Sequence, residues 1–162
     1  MSARTRSGVA ALALAAACAG EALLPRDIVP GVDACEGCHM LVDDPQRAAE
    51  WVGDDGTILT FDEPGCLVAW LVQHPDEAGR PWVADFAGGV WVRAEEAHYL
   101  RDGLRTGMGY DVLAFADARA AEATAAGVDA RDEADRPSPR VQTWAELLGE
   151  GVRVGGSDGH GH

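Results

Sequence analysis

The sequence contains no lysine, so all 13 residues of the Lys+Arg class are arginine, against 27 Asp and Glu and a formal net charge of -14. Such a chain repels phosphate backbones, which excludes nucleic acid as a partner and favours cations, metal ions among them. Methionine is scarce, with 3 residues. Long apolar runs are also lacking, because no stretch after the N-terminus approaches the roughly 20 apolar residues of a membrane-spanning helix.

The first seventeen residues are predicted to be a signal peptide. Arg4 and Arg6 supply a positive start, and residues 9–17 form an apolar run too short to span a bilayer. The alanines before Cys18 resemble the bacterial lipoprotein signal, in which the cysteine is acylated and becomes the first residue. We therefore expect an exported protein, attached by lipid at Cys18 to the periplasmic or outer face of the cell membrane. Ordinary cleavage at the alanine run is the alternative.

The composition, with 162 residues and 47% hydrophobic content, suits one compact unit or two small subdomains that share a core. A weak internal repeat predicts an α+β protein of two packed halves, each with the order strand, strand, helix, strand. The predicted parts are a signal peptide (1–17), a lipidated N-terminus and tether (18–32), a first half (33–93), a second half (94–148) and a disordered tail (149–162).

The first half contains the clearest signals. Asp55-Gly56 between two apolar runs predicts a hairpin with strands at 48–52 and 57–61. Asp62 is the expected N-cap of a helix over 63–73. Further strands are expected at 82–86 and 90–93.

In the second half, residues 97–101 fit either a helix or a strand. A strand is predicted at 111–115, followed by an alanine-rich helix over 117–126 that Asp117 caps. A strand at 141–144 and a last helical turn at 145–148 complete the second half.

The stretch Cys35-Glu36-Gly37-Cys38-His39-Met40 concentrates soft metal ligands. Thiolate and thioether together favour Cu(I) over zinc, calcium or magnesium. A C-x-x-C pair can also perform thiol redox exchange or supply half of a zinc site, but no strand precedes this pair and no second ligand pair has a known zinc spacing. A structural disulfide is the remaining alternative, since exported compartments oxidise cysteine pairs.

Met108 lies in Gly107-Met108-Gly109, a turn-like setting in which a core-filling methionine has no role. We therefore expect one copper site that two distant segments close. In an extended chain Cys38 and Met40 point to the same side and His39 to the other. His39 and Cys35 stay open as further ligands.

The remaining cysteine and these histidines are not expected to be metal ligands. Cys66, in the predicted helix of the first half, is expected to be a small buried hydrophobe. His98 is expected to be a packed or surface residue, and His160 and His162 to belong to a solvated tail.

Taken together, the motifs resemble the NosL family of nitrous oxide reductase accessory lipoproteins. The resemblance runs from about Asp33 to Leu148 and departs from the family at His39, where the family usually has glycine. It is carried by the Cys-x-x-Cys-x-Met motif, Phe61-Asp62 with Cys66 following, Met108-Gly109, Ala114-Phe115 and Trp144-Ala145-Glu146-Leu147.

The resemblance implies an exported Cu(I)-binding chaperone, not an enzyme, that supplies copper for the copper-sulfide centre of nitrous oxide reductase. Its implied partners are the reductase apo-protein and a membrane transporter complex of the same maturation machinery. Its implied fold is similar to the organomercurial lyase fold, with Cys38, Met40 and Met108 as the Cu(I) ligands. The alternatives are a thiol-dependent enzyme on that fold, with Cys66 and Asp62 as thiol and acid, or another exported metal-binding module.

Overall fold

The computed structural model describes residues 23–102, 106–128 and 137–152. The predicted signal peptide, Cys18, His160 and His162 lie outside the described residues. Within these three ranges, no helix has both the length and the apolar character needed to cross a membrane.

The first half forms a four-stranded antiparallel sheet with the strand order β2-β1-β3-β4. The expected hairpin is present, with Val52 opposite Ile58. β3 lies earlier than predicted, because Asp85 begins a turn in which its N–H donates to Val90 and its C=O accepts from Gly89. The elements are β1 (Ala49–Gly53), β2 (Ile58–Phe61), α1 (Pro64–Gln73), β3 (Gly79–Ala84) and β4 (Trp91–Arg93), with a 3₁₀ turn ahead of them at Pro45–Arg47.

The second half forms a three-stranded antiparallel sheet with the order β6-β5-β7. Residues 97–101, which fitted either a helix or a strand from the sequence, contain a strand. The elements are a 3₁₀ turn (Ala94–Glu96), β5 (His98–Arg101), β6 (Val112–Phe115), α2 (Ala118–Gly127), β7 (Arg140–Thr143) and α3 (Trp144–Glu150). In each half the first strand lies between the second strand and the strand that follows the helix, which confirms the predicted α+β architecture of two similar halves.

The helix starts confirm one predicted cap and correct another. Asp117 accepts hydrogen bonds from the N–H groups of Arg119 and Ala120, as expected for an N-cap. Asp62 is not the cap of α1, so that prediction was wrong. Glu63 occupies the position, and its side chain makes no capping hydrogen bond; it is buried, at 1% exposure, beside Thr106, Tyr110 and Val112 of the second half.

Both sheets contribute to one hydrophobic core. It contains the buried side chains of Phe61 and Leu67 from the first half and of Tyr99, Val112 and Trp144 from the second. The two halves therefore stabilise each other through shared apolar burial. The start of α1 lies so close to the chain ahead of β6 that a Cβ at Gly65 would overlap the Tyr110 side chain.

The described part of the predicted tether packs on the first sheet. The N–H of Arg26 donates to Glu50 Oε2 at 2.9 Å, and its guanidinium forms two hydrogen bonds with Asp33, at 2.7 and 2.8 Å. Glu50 lies fully buried in β1, and burial raises its pKa to about 7. The chain is thus anchored to the body of the fold before it reaches the cysteines.

Candidate metal centre

The segment from Cys35 to Met40 is a closed loop. The N–H of Cys35 donates to the Met40 carbonyl and the N–H of His39 to the Cys35 carbonyl, both at 2.8 Å, and Ala34 pairs with Leu41 behind them. The extended conformation assumed from the sequence was therefore wrong. His39 turns the chain in the left-handed region, with φ of 61°.

Backbone contacts hold this loop against the start of α1. The N–H of Glu36 donates to the Thr60 carbonyl, at 2.8 Å, near the end of β2. A Cβ at Gly37 would lie 3.6 Å from the Cys66 carbonyl oxygen and 3.8 Å from Cys35 Sγ, so the loop covers the first turn of the helix. Cys66 is the third residue of α1 and lies next to Gly37 of the loop.

The sulfur atoms of Cys35, Cys38 and Cys66 all lie within 4.8 Å of one another, and we call these residues the thiol cluster. All three are free thiols. Cys35 and Cys66 are buried, at 0% and 2% exposure, whereas Cys38 is half-buried. Across the described ranges, this is the one group of three or more His, Cys, Asp or Glu ligand atoms so close together, and no imidazole or carboxylate belongs to it.

The thiols of the cluster differ in acidity. The Cys66 thiol donates a hydrogen bond to Cys35, which lowers the pKa of Cys35 despite its burial. The same hydrogen bond, together with burial, raises the pKa of Cys66, and burial raises that of Cys38. Cys35 is therefore the first of the three to become a thiolate, the form that binds metal. Cys66 does not have the exposed, acidic thiol that the enzyme alternative requires.

A pocket of about 290 Å³ opens over the cluster, and Cys38, Cys66 and Tyr110 line it. His39 and His74 stand at the same pocket. His74 stacks on Trp70, with ring centroids 4.4 Å apart, and its Nδ1 lies 2.8 Å from the Trp70 carbonyl oxygen. Because a carbonyl oxygen only accepts, the His74 Nδ1 donates in this hydrogen bond.

The two predicted methionine ligands differ in their exposure to solvent. Met40 is 49% exposed at the end of the loop, and Met108 is half-buried against the core that contains Cys35 and Cys66. Met108 does occupy a turn, in which the Gly109 N–H donates to the Thr106 carbonyl and Gly109 has a φ of 73°. Neither residue is among those lining the 290 Å³ pocket. Their role as ligands stays a prediction, as does that of His39.

Sequence analysis proposed Cys35 and Cys38 as possible ligands, but expected Cys66 to be a small buried hydrophobe or, in the enzyme alternative, the reactive thiol. The expected burial of Cys66 is confirmed, yet its sulfur also meets the other two. One signal was available: Pro64-Gly65-Cys66 follows a strand and opens a helix, and the first turn of a helix is a position in which functional cysteines are found. His98 is half-buried in β5, in agreement with its ordinary interpretation.

Comparison with known proteins identifies a family and a similar solved structure. A model of the NosL family matches residues 29–129, a range that contains the thiol cluster and Met108. The crystal structure of the copper chaperone NosL from Shewanella denitrificans is similar, with 15% sequence identity, a TM-score of 0.55, and coverage of 75% of this chain and 96% of that one. At this identity the similarity concerns the fold. No curated protein matches the chain.

Proposed function

The chain belongs to the NosL family, and from this premise we propose that it is an exported carrier of Cu(I) that supplies copper for the copper-sulfide centre of nitrous oxide reductase. It is proposed as a carrier rather than an enzyme. Its proposed partners are the reductase apo-protein and the membrane transporter complex of the maturation machinery.

The observation that carries the proposal is the convergence of three free thiols with no oxygen or nitrogen ligand among them. Thiolate donors suit soft ions, and structural zinc sites complete a tetrahedron with a fourth protein ligand. A three-sulfur group without that fourth ligand favours the lower coordination numbers of Cu(I).

A carrier must also release its ion, and the surroundings of Cys38 support this. Cys38 lines an open pocket, and Met40 and Leu41 beside it are 49% and 55% exposed. A receiving protein can therefore reach the sulfur side chains at this edge. The family resemblance implies Cys38, Met40 and Met108 as ligands, and we keep them as proposed ligands. Thioethers bind without losing a proton, which suits transfer in an oxidising exterior.

Metal preference tests the proposal. The reduced protein, titrated anaerobically against a Cu(I) chelator, is expected to bind one Cu(I) per chain and to keep it in the presence of excess Zn(II). His98→Ala is the control, because His98 lies in β5 outside the thiol cluster, and it should bind as the wild type does. Equal or tighter retention of zinc contradicts the proposal.

Membrane attachment is a separate part of the proposal and rests on the sequence around Cys18. A single acyl-modified N-terminus attaches a protein to a bilayer without spanning it. Wild type is expected in the membrane fraction and Cys18→Ser in the soluble fraction, as measured by fractionation and mass spectrometry of the N-terminal peptide. If the two proteins are distributed equally between the fractions, the predicted lipid anchor is wrong, but the proposed copper binding is unaffected.

A further inference from the structure

We propose that the protein has a second binding site, a pocket that takes a small amino alcohol, in which an ammonium group and a hydroxyl group share a short apolar carbon frame. The pocket has a volume of about 450 Å³ and lies at the end of the first sheet, between the β1–β2 turn and the connection from α1 to β3. It shares only Trp70 with the pocket over the thiol cluster. The loop from Cys35 to Met40 packs at the other end of α1, so the two sites are separate.

Two indole rings form the apolar wall of this pocket. Trp51 of β1 and Trp70 of α1 are 6% and 9% exposed, and their ring centroids lie 5.7 Å apart. Gly79 allows this position of Trp51, because a Cβ there would lie 2.7 Å from two atoms of the ring. Leu59, opposite Trp51 in β2, extends the wall. An apolar wall held rigidly by the core suits a carbon frame, and the volume falls within the roughly 300–1,000 Å³ of small-molecule pockets.

The rim of the pocket is negatively charged. Asp54, Asp55 and Glu77 line it, and Arg80 forms an ion pair with Asp54 at 3.4 Å. Within the described residues, the carboxylates of Asp55 and Glu77 have no basic partner. The Thr57 N–H and hydroxyl donate to Asp55 at 2.9 and 3.0 Å, which lowers the pKa of Asp55 and keeps it ionised. The rim therefore favours a cation that donates hydrogen bonds to carboxylates, as an ammonium group does.

A hydrogen-bond donor in the wall adds a second requirement. The Trp51 indole N–H has no hydrogen-bond partner within the part of the chain that the structure describes. The indole nitrogen of Trp82 also lacks a partner but is closed to solvent, whereas that of Trp51 is not closed, so it is reached from the pocket that Trp51 lines. This N–H needs an acceptor, and an ammonium group has none. A hydroxyl group supplies the acceptor without a negative charge, which the carboxylates of the rim would repel.

The indole signals in proton–nitrogen correlation spectra test the site. Reduced, metal-free protein is titrated with aminopentanol in about 0.15 M salt, which screens the attraction of distant charges. The signals of Trp51 and Trp70 are expected to shift saturably, with a dissociation constant in the low millimolar range. The tryptophans that do not line the pocket should keep their signals: Trp82, Trp91 and Trp144. Pentylamine, which lacks the acceptor, should bind at least about threefold more weakly, and pentanol, which lacks the charge, should give no saturable shift.

Three variants locate the binding. Glu77→Gln removes a charge from the rim and is expected to weaken aminopentanol binding about threefold or more. Asp76→Asn is the matched control, because it removes the same charge from the adjoining exposed residue, which does not line the pocket; it should bind within about twofold of wild type. Ala78→Leu fills the pocket from an exposed position and should abolish the saturable shift. Circular dichroism establishes that each variant is folded.

The possible results decide each part of the proposal. An equal response to pentanol contradicts the ammonium group, and equal binding of pentylamine contradicts the acceptor for Trp51. Equal weakening in Glu77→Gln and Asp76→Asn would mean general attraction to an acidic surface and would overturn the site, as would the absence of a saturable shift in the wild type. Because the titration uses metal-free protein, its failure leaves the proposed copper function standing.

Discussion

At the scale of single residues, the conformation of the loop from Cys35 to Met40 depends on the backbone of His39. Its φ of 61° lies in the left-handed region, which a Cβ disfavours and glycine adopts without cost. Histidine is among the residues more often found there. The resemblance to a family that usually has glycine at this position thus has a conformational reason, and the histidine is not by itself an indication of a ligand.

His39→Gly and His39→Ala together separate conformation from ligation. Glycine is expected to raise the free energy of unfolding by up to about 1 kcal/mol, because it relieves the left-handed strain at an exposed position. Alanine keeps the strain and should give no such gain. Both variants should bind Cu(I) as wild type does, measured by denaturation and chelator competition. A similar loss of affinity in both would identify the imidazole as a ligand.

At the scale of elements, features that neighbouring residues determine were predicted correctly, whereas features that depend on tertiary packing were not. The β1–β2 hairpin and the Asp117 cap follow from neighbouring residues, and both are present. The cap of α1 was misassigned because Glu63, not Asp62, is the N-cap, and its side chain is buried beside Thr106, Tyr110 and Val112 of the second half. α3 continues through Glu150, two residues beyond its predicted end, and the Gly151 carbonyl accepts a hydrogen bond from Arg101.

Glu50 of β1, which accepts a hydrogen bond from Arg26, should make the free energy of unfolding depend on pH. The pKa of Glu50 is raised to about 7, mainly by burial, although Arg26 opposes the shift and Asp33 adds to it. A raised carboxyl pKa contributes stability that is complete below its unfolded value of about 4.5 and is lost as the pH rises through 7. The free energy of unfolding is therefore expected to fall by up to about 3 kcal/mol between pH 5 and pH 8.

Urea denaturation at pH 5, 6, 7 and 8 measures this dependence. Glu50→Gln should flatten it and be more stable than wild type at pH 8, since the amide can still accept the Arg26 N–H hydrogen bond. Glu63, whose pKa burial also raises to about 7, leaves a residual slope of the same sign. Glu77→Gln, at an exposed site, is the control. Stability that rises from pH 5 to pH 8 would contradict the assignment.

At the scale of the whole molecule, the sequence was sufficient to predict the family, the α+β class and the repeated order of strands and helix. It was not sufficient to predict the thiol cluster. Cys66 approaches Cys35 and Cys38 only because the loop is bonded to Thr60 and packs through Gly37 on α1, and no spacing rule encodes that contact. The location of Met108 depends in the same way on how the halves pack.

The positions of the cysteines also have a consequence for the order of folding events. All three thiols lie between residues 35 and 66, whereas Met108 is 70 positions beyond Cys38. Contacts that are closer in sequence close smaller loops and form earlier, although the difference in closure free energy is only about 0.8 kcal/mol. The first half can therefore gather its three sulfurs while the second half is still unpacked. An ion that arrives at that stage would act as a ligand for folding, and its binding energy would draw the first half towards its native structure.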